Sequence, residues 1–340
     1  MRILQAMAGA ERGGAEMYFE ALAAAFERLG LQQRVVIRRN PERLARMRAE
    51  GLSPVQLPFG GPLEPFTRMA LSVQLARFQP DIVVTWMSRA SAKMPPTSAF
   101  HIGRLGGYYD LKYFAGCDLL VCNTVDLVDF CIDGGWSRRR VQYLPNFVSL
   151  RPAAPEDRAR HGTPAEAPLL LAMGRLHENK AFDVLLHAMP QLPDAWLWLA
   201  GEGALADELA ALATELEVAD RVRFLGWRDD KEALLAAADM VVVPSRVEPF
   251  GNVILDAWAA ERPLVAAAAS GPAAHVTDGE NGLLVPIDDA DALAAAVRRL
   301  LAEPQLCRDL VAGGQASFTE GYTEAAVTGR WLDLFRAVLR

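Results

Sequence analysis

Two carboxylates, Glu248 and Asp256, bracket a Pro-Phe-Gly turn and the start of an apolar helix in the segment EPFGNVILDAW. The strand-like run MVVVPS ends at residue 245, so Glu248 falls in the loop that follows and a helix opens near Asn252. The first amides of such a helix, those of Gly251, Asn252, Val253 and Ile254, lack intrahelical acceptors and point back at the strand ends. Glu248 can accept hydrogen bonds from ligand hydroxyls there. Asp256, in the second helical turn, can reach a different part of the same ligand. It is embedded in VILDAWAA, where a carboxylate on an apolar stretch is costly without a partner. The competing reading makes Glu248 a helix cap and Asp256 a surface acid.

Two cations have a matching position. In GRLHENKAFDVLLHA, Gly174 ends a strand, Arg175 follows it, and Lys180 stands at the mouth of the next helix. Arginine chelates a diphosphate through its planar fork and lysine adds a point charge, both beside helix amides that favour an anion. An isolated arginine in this place serves as readily as an ion-pair partner. After the first strand, GAERGGAEMYF carries Gly13 and Gly14 just before a helix over 15–29. Paired glycines let the backbone approach a ligand, although a tight strand-to-helix turn explains them equally well. A ligand with hydroxyls at both ends and phosphates between them would engage all these groups. A nucleotide sugar is such a molecule.

The elements that must hold these residues can be read from the alternation of apolar runs and amphipathic stretches. Strands are predicted at 2–8, 34–38, 54–58, 81–86, 118–123 and 141–145, then at 169–174, 196–201, 222–226, 240–245, 263–268 and 282–286. Helices are predicted at 15–29, 68–78, 182–190, 204–217, 230–238 and 289–302. Continuous apolar strands separated by helices describe parallel sheets covered on both faces. A chain of 340 residues exceeds one typical core, and the rhythm restarts after the Pro- and Ala-rich segment 151–168, read as a linker. The expectation is two doubly wound α/β domains, 1–150 and 151–319, with 320–340 returning to the first. Ligands of such sheets bind at the carboxyl ends of the strands, which is where the candidate residues fall.

Composition narrows the classes further. With 51% apolar and 23% charged residues, the chain has the character of a soluble globular protein. No apolar run approaches the ~18–20 residues needed to span a bilayer, and the N-terminus reads as a first buried strand rather than a signal peptide. Cys117, Cys122, Cys131 and Cys307 form no metal-type spacing, so they are expected to be buried, reduced thiols in a cytoplasmic protein. The net charge of −7 conceals an asymmetry. Residues 1–150 carry 18 Lys/Arg against 13 Asp/Glu, leaving 17 against 29 for the remainder. Arginine runs at 34–48 and 136–140 make the first half basic and suggest an anionic partner, either a membrane surface or an acceptor. Arginines on a solvated helix face explain them as well. No aromatic interleaving or nucleic-acid motif accompanies the runs, so nucleic acid is not an expected partner.

The segments PSRVEPFGNVILDAWAAERPLVA and SGPAAHVTDGENGLLVP, supported by GRLHENKAFDVLLHA, LAGEG, VRFLGW and LPNFV, resemble the GT-B glycosyltransferases of family 4, which are retaining. The resemblance covers nearly the whole chain. It implies two Rossmann-like domains facing a central cleft, with the last helix (322–339) crossing back to the first domain. It implies that Glu248 contacts the donor sugar, that the amides from Phe250 to Ile254 hold sugar and phosphate, and that Arg175 and Lys180 bind the diphosphate. Asp256 stands where the family has a ribose-binding Glu, and Ala181 where it usually has Gly. The second change is expected to matter little if the backbone there is helical. The base is expected near LGW, which brings in Trp227. His101 corresponds to a histidine that family members often carry near the donor sugar, while an ordinary structural role stays open for it. Arg104 and the tyrosines after it are candidates to line the cleft.

The implied reaction moves a sugar from a nucleoside diphosphate, UDP by preference, to a glycan or lipid-linked acceptor in lipopolysaccharide, glycolipid or cell-surface polysaccharide synthesis. Arg175, Lys180 and the helix amides would stabilise the leaving diphosphate, so no metal or other cofactor is expected. Peripheral contact with the anionic inner face of the membrane is expected as well. The alternatives are a sugar-nucleotide epimerase of the same fold and an inactive nucleotide-sugar-binding relic.

Overall fold

The computed structural model describes residues 1–11, 13–60, 64 and 66–340. The chain divides into two compact units, one comprising Met1–Phe147 with Glu324–Arg340 and the other Val148–Thr323. The first unit contains β1 (Arg2–Met7), β2 (Gln32–Arg38), β3 (Val55–Leu57), β4 (Ile82–Trp86), β5 (Phe100–Leu105), β6 (Leu119–Cys122) and β7 (Val141–Tyr143). The second contains β8 (Leu169–Met173), β9 (Trp196–Ala200), β10 (Val222–Gly226), β11 (Met240–Val243), β12 (Leu264–Ala267) and β13 (Leu283–Val285). The spatial orders are β3-β2-β1-β4-β5-β6-β7 and β10-β9-β8-β11-β12-β13, and the paired strands are parallel. In each sheet the chain winds outward one way, returns to the middle and winds the other way. That leaves a crevice where the direction reverses, between β1 and β4 and between β8 and β11.

Strand periodicity explains why the apolar runs are continuous. Leu170 and Ala172 of β8 join one core with Leu197, Leu199 and Val242. Their neighbours Leu169 and Leu171 join another with Trp198, Val241 and Val243. Successive side chains point to opposite faces, and helices cover both. Helix starts are fixed locally. Asn40 accepts from the amide of Arg43 with Pro41 in the first turn, and Thr124 accepts from the amide of Leu127.

Two features depart from the sequence-based expectation. β5, FHIGRL, is missing from the predicted strands, and His101, Gly103 and Arg104 interrupt its apolar character. Gly103 is required there, since a Cβ would lie 2.8 Å from the Phe114 ring. Residues 151–168 are no free linker. The Glu156 amide donates to Ala233 O (3.0 Å), Arg158 Nη2 donates to Ala237 O (2.6 Å), and Thr163 Oγ1 accepts from Trp198 Nε1 (2.9 Å). These bonds build the segment into the second unit, and the boundary falls between Phe147 and Val148.

Helix Glu324–Val338 belongs to the first unit, where Trp331 and Phe335 are fully buried and Trp331 Nε1 donates to Tyr18 Oη at 3.2 Å. Burial of a Phe-sized side chain contributes about 1.5–3 kcal/mol. The exposed ion pair of Arg28 with Glu324 (2.7 Å) adds at most about 1 kcal/mol. Among the described residues, no helix is long and apolar enough to cross a membrane.

Candidate functional site

The crevice between β8 and β11 gathers the residues singled out above. Gly174 leaves β8 with its amide on Ala200 O (3.0 Å). The carbonyl of Gly174 lies so near Gly201 that a Cβ there would sit 1.8 Å from it, and Gly201 has φ +152. Only glycine fits, and this contact sets the path of the Gly174–Arg175 turn. A single helical turn, Glu178–Lys180, follows and ends at Ala181 with φ +52. The backbone at 181 is therefore left-handed rather than helical, which costs a non-glycine residue about 1 kcal/mol. The turn carries Lys180 back over the crevice, where Nζ forms an ion pair with Glu248 Oε2. The pair is mostly enclosed, with 24% of the Lys180 side chain and 11% of the Glu248 side chain exposed. Arg175 is exposed, with no hydrogen-bond or ion-pair partner among the described residues.

The loop carrying Glu248 is anchored on three sides. Arg246 donates to both oxygens of Asp183 (3.0 and 2.5 Å) and to Glu178 O (3.1 Å), and its Nε pairs with Asp288. Burial opposes ionisation of Asp183, but the hydrogen bonds and charge of Arg246 outweigh it and hold the carboxyl below its ordinary value. The Val247 amide donates to Asn179 O (3.1 Å), and Glu248 O accepts from the Gly271 amide (2.7 Å). Gly251 then turns the chain with φ +89 into helix Asn252–Ala259. The Ile254 amide is taken by Gly251 O (2.9 Å), while those of Gly251 and Val253 have no acceptor among the described residues. Lys180 thus meets a carboxylate that Gly251 lies against, at the end of the sheet where Arg175, without a partner among the described residues, leaves β8. Such a set accommodates an anionic group next to hydroxyls.

Asp256 faces a different partner. Lys231, the first residue of helix Lys231–Ala237, donates to Asp256 Oδ1 at 2.6 Å. Burial raises the Asp256 carboxyl above its ordinary range, and the Lys231 charge pulls it back. Trp227 follows β10 and donates from Nε1 to Asp229 Oδ1 at 2.8 Å.

Behind the loop, Phe250 meets the His275 ring edge-on at 4.7 Å, and His275 Nδ1 lies 3.0 Å from Tyr322 Oη. Burial lowers the His275 pKa from 6.5 to about 4. A histidine with a depressed folded-state pKa contributes stability above the unfolded value, and that stability is lost as pH falls. Over this window the loss is on the order of 3.5 kcal/mol, at about 1.4 kcal/mol per pH unit. Urea unfolding at pH 7 and pH 4.5 should show a stability drop that His275→Asn removes in large part.

In the first unit the picture differs from the expectation. Gly13 and Gly14 do precede helix Gly14–Arg28, but the Glu16 carboxylate folds onto the same loop and accepts from the Ala10 amide (2.7 Å). A Cβ at Gly13 would lie 2.4 Å from Glu16 Oε2. Gly13 makes room for the protein's own carboxylate, which opposes a phosphate there. His101 is the second residue of β5 and pairs in register with Val83, at the amino ends of the strands and away from the ligand edge. It is buried, with Nε2 2.9 Å from Thr85 Oγ1 and Nδ1 3.0 Å from Gly116 O. This is a core histidine, and the catalytic assignment is withdrawn. His101→Gln should lower the melting temperature, through loss of the Thr85 and Gly116 contacts, and should leave the affinity of the β8/β11 crevice for nucleotides unchanged by calorimetry.

Arg104 is equally internal. It donates to Leu144 O (2.7 Å) and Asn146 Oδ1 (2.9 Å) and lies over the rings of Tyr18 and Trp331. The arginine run at 34–48 is partly consumed inside the unit, since Arg43 and Arg46 both bind Glu20 (2.9 and 2.8 Å).

Sequence reasoning missed Lys231 and Arg246. Arg246 stands two residues before Glu248 on a loop already of interest, which was a usable signal. Lys231 sits in the run RDDKEA, indistinguishable from a solvated charged helix start.

Known proteins share both halves of this arrangement. The family described as glycosyl transferases group 1 matches residues 167–303, the segment that holds the crevice. The chain is 38% identical over 328 residues, 95% of each chain, to the lipopolysaccharide core biosynthesis glycosyltransferase LpsE of Rhizobium meliloti. It is 37% identical over 346 residues, 98% of each, to LpsD of the same organism, which bears the same description. Among solved structures, HepE from Anabaena in complex with UDP and glucose superposes with a TM-score of 0.86 at 21% identity, covering 99% of this chain and 100% of that one. The chain belongs to the group 1 glycosyltransferases, family 4, and has their GT-B fold.

Proposed function

We propose that this glycosyltransferase transfers a sugar, with retention of anomeric configuration, from a UDP-sugar to a lipid-linked glycan of the lipopolysaccharide core. The observation that carries the reading is the Lys180–Glu248 pair at the β8/β11 crevice; Arg175, which follows β8 two residues after its end, adds a second cation to the same edge. As the glycosidic bond to phosphate breaks, negative charge grows on the diphosphate. Arg175, Lys180 and the amides of Gly251 and Val253 stabilise that charge, the electrostatic contribution that dominates many enzymes. Lys180 exchanges part of its contact with Glu248 for phosphate, and the carboxylate becomes available to sugar hydroxyls. Asp256 takes the ribose hydroxyls through the oxygen that Lys231 leaves unbonded. No protein carboxylate serves as nucleophile; the leaving phosphate helps remove the acceptor proton. The donor preference is supported by UDP in the HepE complex, and the acceptor class by the descriptions of LpsE and LpsD. Because such an acceptor is anchored in lipid, the enzyme works in the cytoplasm in peripheral contact with the inner membrane.

The test incubates the enzyme with UDP-, GDP- and ADP-sugars and truncated lipopolysaccharide, and follows the product anomer by NMR. A UDP-sugar alone supporting transfer, with the donor's configuration kept, is the expected result. Inversion, or transfer from GDP- or ADP-sugars only, would refute it.

A further inference from the structure

The outward face of helix Phe66–Phe78, FTRMALSVQLARF, is more apolar than its inward face requires. Thr67 and Leu71 are the buried residues of this helix. Phe66, Met69 and Val73 are 69%, 66% and 45% exposed. These three recur at i, i+3 and i+7, so they form one stripe along the solvent side. Three such side chains in a row are more than the scattered apolar residues of an ordinary surface.

The charges on the helix itself have one sign. The helix contains no Asp or Glu, and Arg68 and Arg77 are exposed with no side-chain partner among the described residues. Lys93 Nζ donates to Glu64 O (2.7 Å), which sets helix Met87–Lys93 beside the start of the stripe. Arg89, four residues before Lys93 and on the same helix face, is a third exposed cation with no partner among the described residues. The acid of this neighbourhood, Glu64, is engaged by Thr67 Oγ1 (2.5 Å) and Lys93 (4.0 Å).

We propose that helix Phe66–Phe78 lies in the headgroup layer of an anionic bilayer, with Phe66, Met69 and Val73 among the acyl chain ends and Arg68, Arg77 and Arg89 on lipid phosphates. An apolar stripe rimmed by arginine and free of acid is the composition that holds an interfacial helix on a membrane. Self-association through the same face would bring like arginines together and is disfavoured. The assignment rests on the reading of the acceptor as lipid-borne. It moves the contact from the arginine run at 34–48, where Arg43 and Arg46 are already committed to Glu20.

The test is co-sedimentation of the full chain with vesicles of phosphatidylcholine and of phosphatidylcholine–phosphatidylglycerol at two salt concentrations. Wild type, the triple variant Phe66→Ser/Met69→Ser/Val73→Ser and the double variant Arg68→Glu/Arg77→Glu are compared. All five side chains face solvent, so folding is preserved and is checked by the melting temperature. The expected result is binding to the anionic vesicles alone, weakened at least tenfold in both variants, with transfer to a water-soluble acceptor fragment unchanged. Wild type remaining in the supernatant would overturn both the membrane reading and this surface. Binding of the variants at the wild-type level would overturn the surface alone. A dimer on gel filtration that the triple variant abolishes would assign the stripe to a second copy and overturn the proposal.

Discussion

Replacing Lys180 with alanine is expected to lower kcat about 10²–10³-fold, the usual consequence of removing one preorganised donor from a developing anion. Lys180 reaches the crevice because the turn after β8 folds back, and its partner Glu248 comes from the loop after the neighbouring strand β11. The variant would lose the cation proposed to meet the leaving diphosphate, and it leaves Glu248 without its ion-pair partner. Electrostatic repulsion then falls on the donor, so the donor KM rises as well. Lys180→Arg keeps the charge but not the compact point contact and should recover part of the rate. Steady-state kinetics with varied donor, together with the melting temperature, separate this effect from unfolding. A loss below tenfold would remove Lys180 from the reaction.

The second large effect concerns stability and its pH dependence. Lys231→Met leaves the enclosed carboxylate of Asp256 unpaired, and breaking a buried ion pair from one side costs about 3–5 kcal/mol. Burial already raises the Asp256 carboxyl, and the variant raises it further. A carboxyl whose folded-state value exceeds its unfolded value binds the proton more tightly when folded. Stability therefore falls as pH rises from the unfolded value through the folded one. The variant should lie closest to wild type in acid and lose ground toward neutrality, as read by urea unfolding across pH 4–8. Lys231→Met/Asp256→Asn removes the orphaned charge and should regain most of the loss. A single-variant deficit that stays constant with pH would show that the two residues do not interact as an ion pair.

How much of this was legible in the sequence depended on whether a residue's role was local. The runs LLLAM and MVVV announce buried parallel strands because both faces are apolar, and the loops after them follow directly. β5 was hidden because its His, Gly and Arg are each satisfied by distant partners: Gly116 O for His101, the Phe114 ring for Gly103, Leu144 O for Arg104. His101 was placed near the donor sugar by the family resemblance, and without the strand nothing in the sequence put it at the opposite end of the sheet. The positions of Lys180 and Glu248 after strands could be read. Their contact could not, since it depends on β8 and β11 being neighbours across 68 residues of chain. The Lys231–Asp256 pair likewise joins two helices across 25 residues of chain. At Ala181, a change judged harmless on helical geometry sits on a left-handed backbone, which residue type alone does not reveal.

The central claim is that the crevice after β8 and β11 holds a UDP-sugar through Arg175, Lys180 and Glu248. Calorimetric titration of wild type and Glu248→Ala with UDP, a panel of UDP-sugars, GDP and ADP tests it most directly. The account predicts selective binding of UDP by both proteins, with one UDP-sugar binding more tightly than UDP in wild type and no more tightly in the variant. Equal affinity of the two proteins for every UDP-sugar, or no response to UDP in wild type, would contradict it.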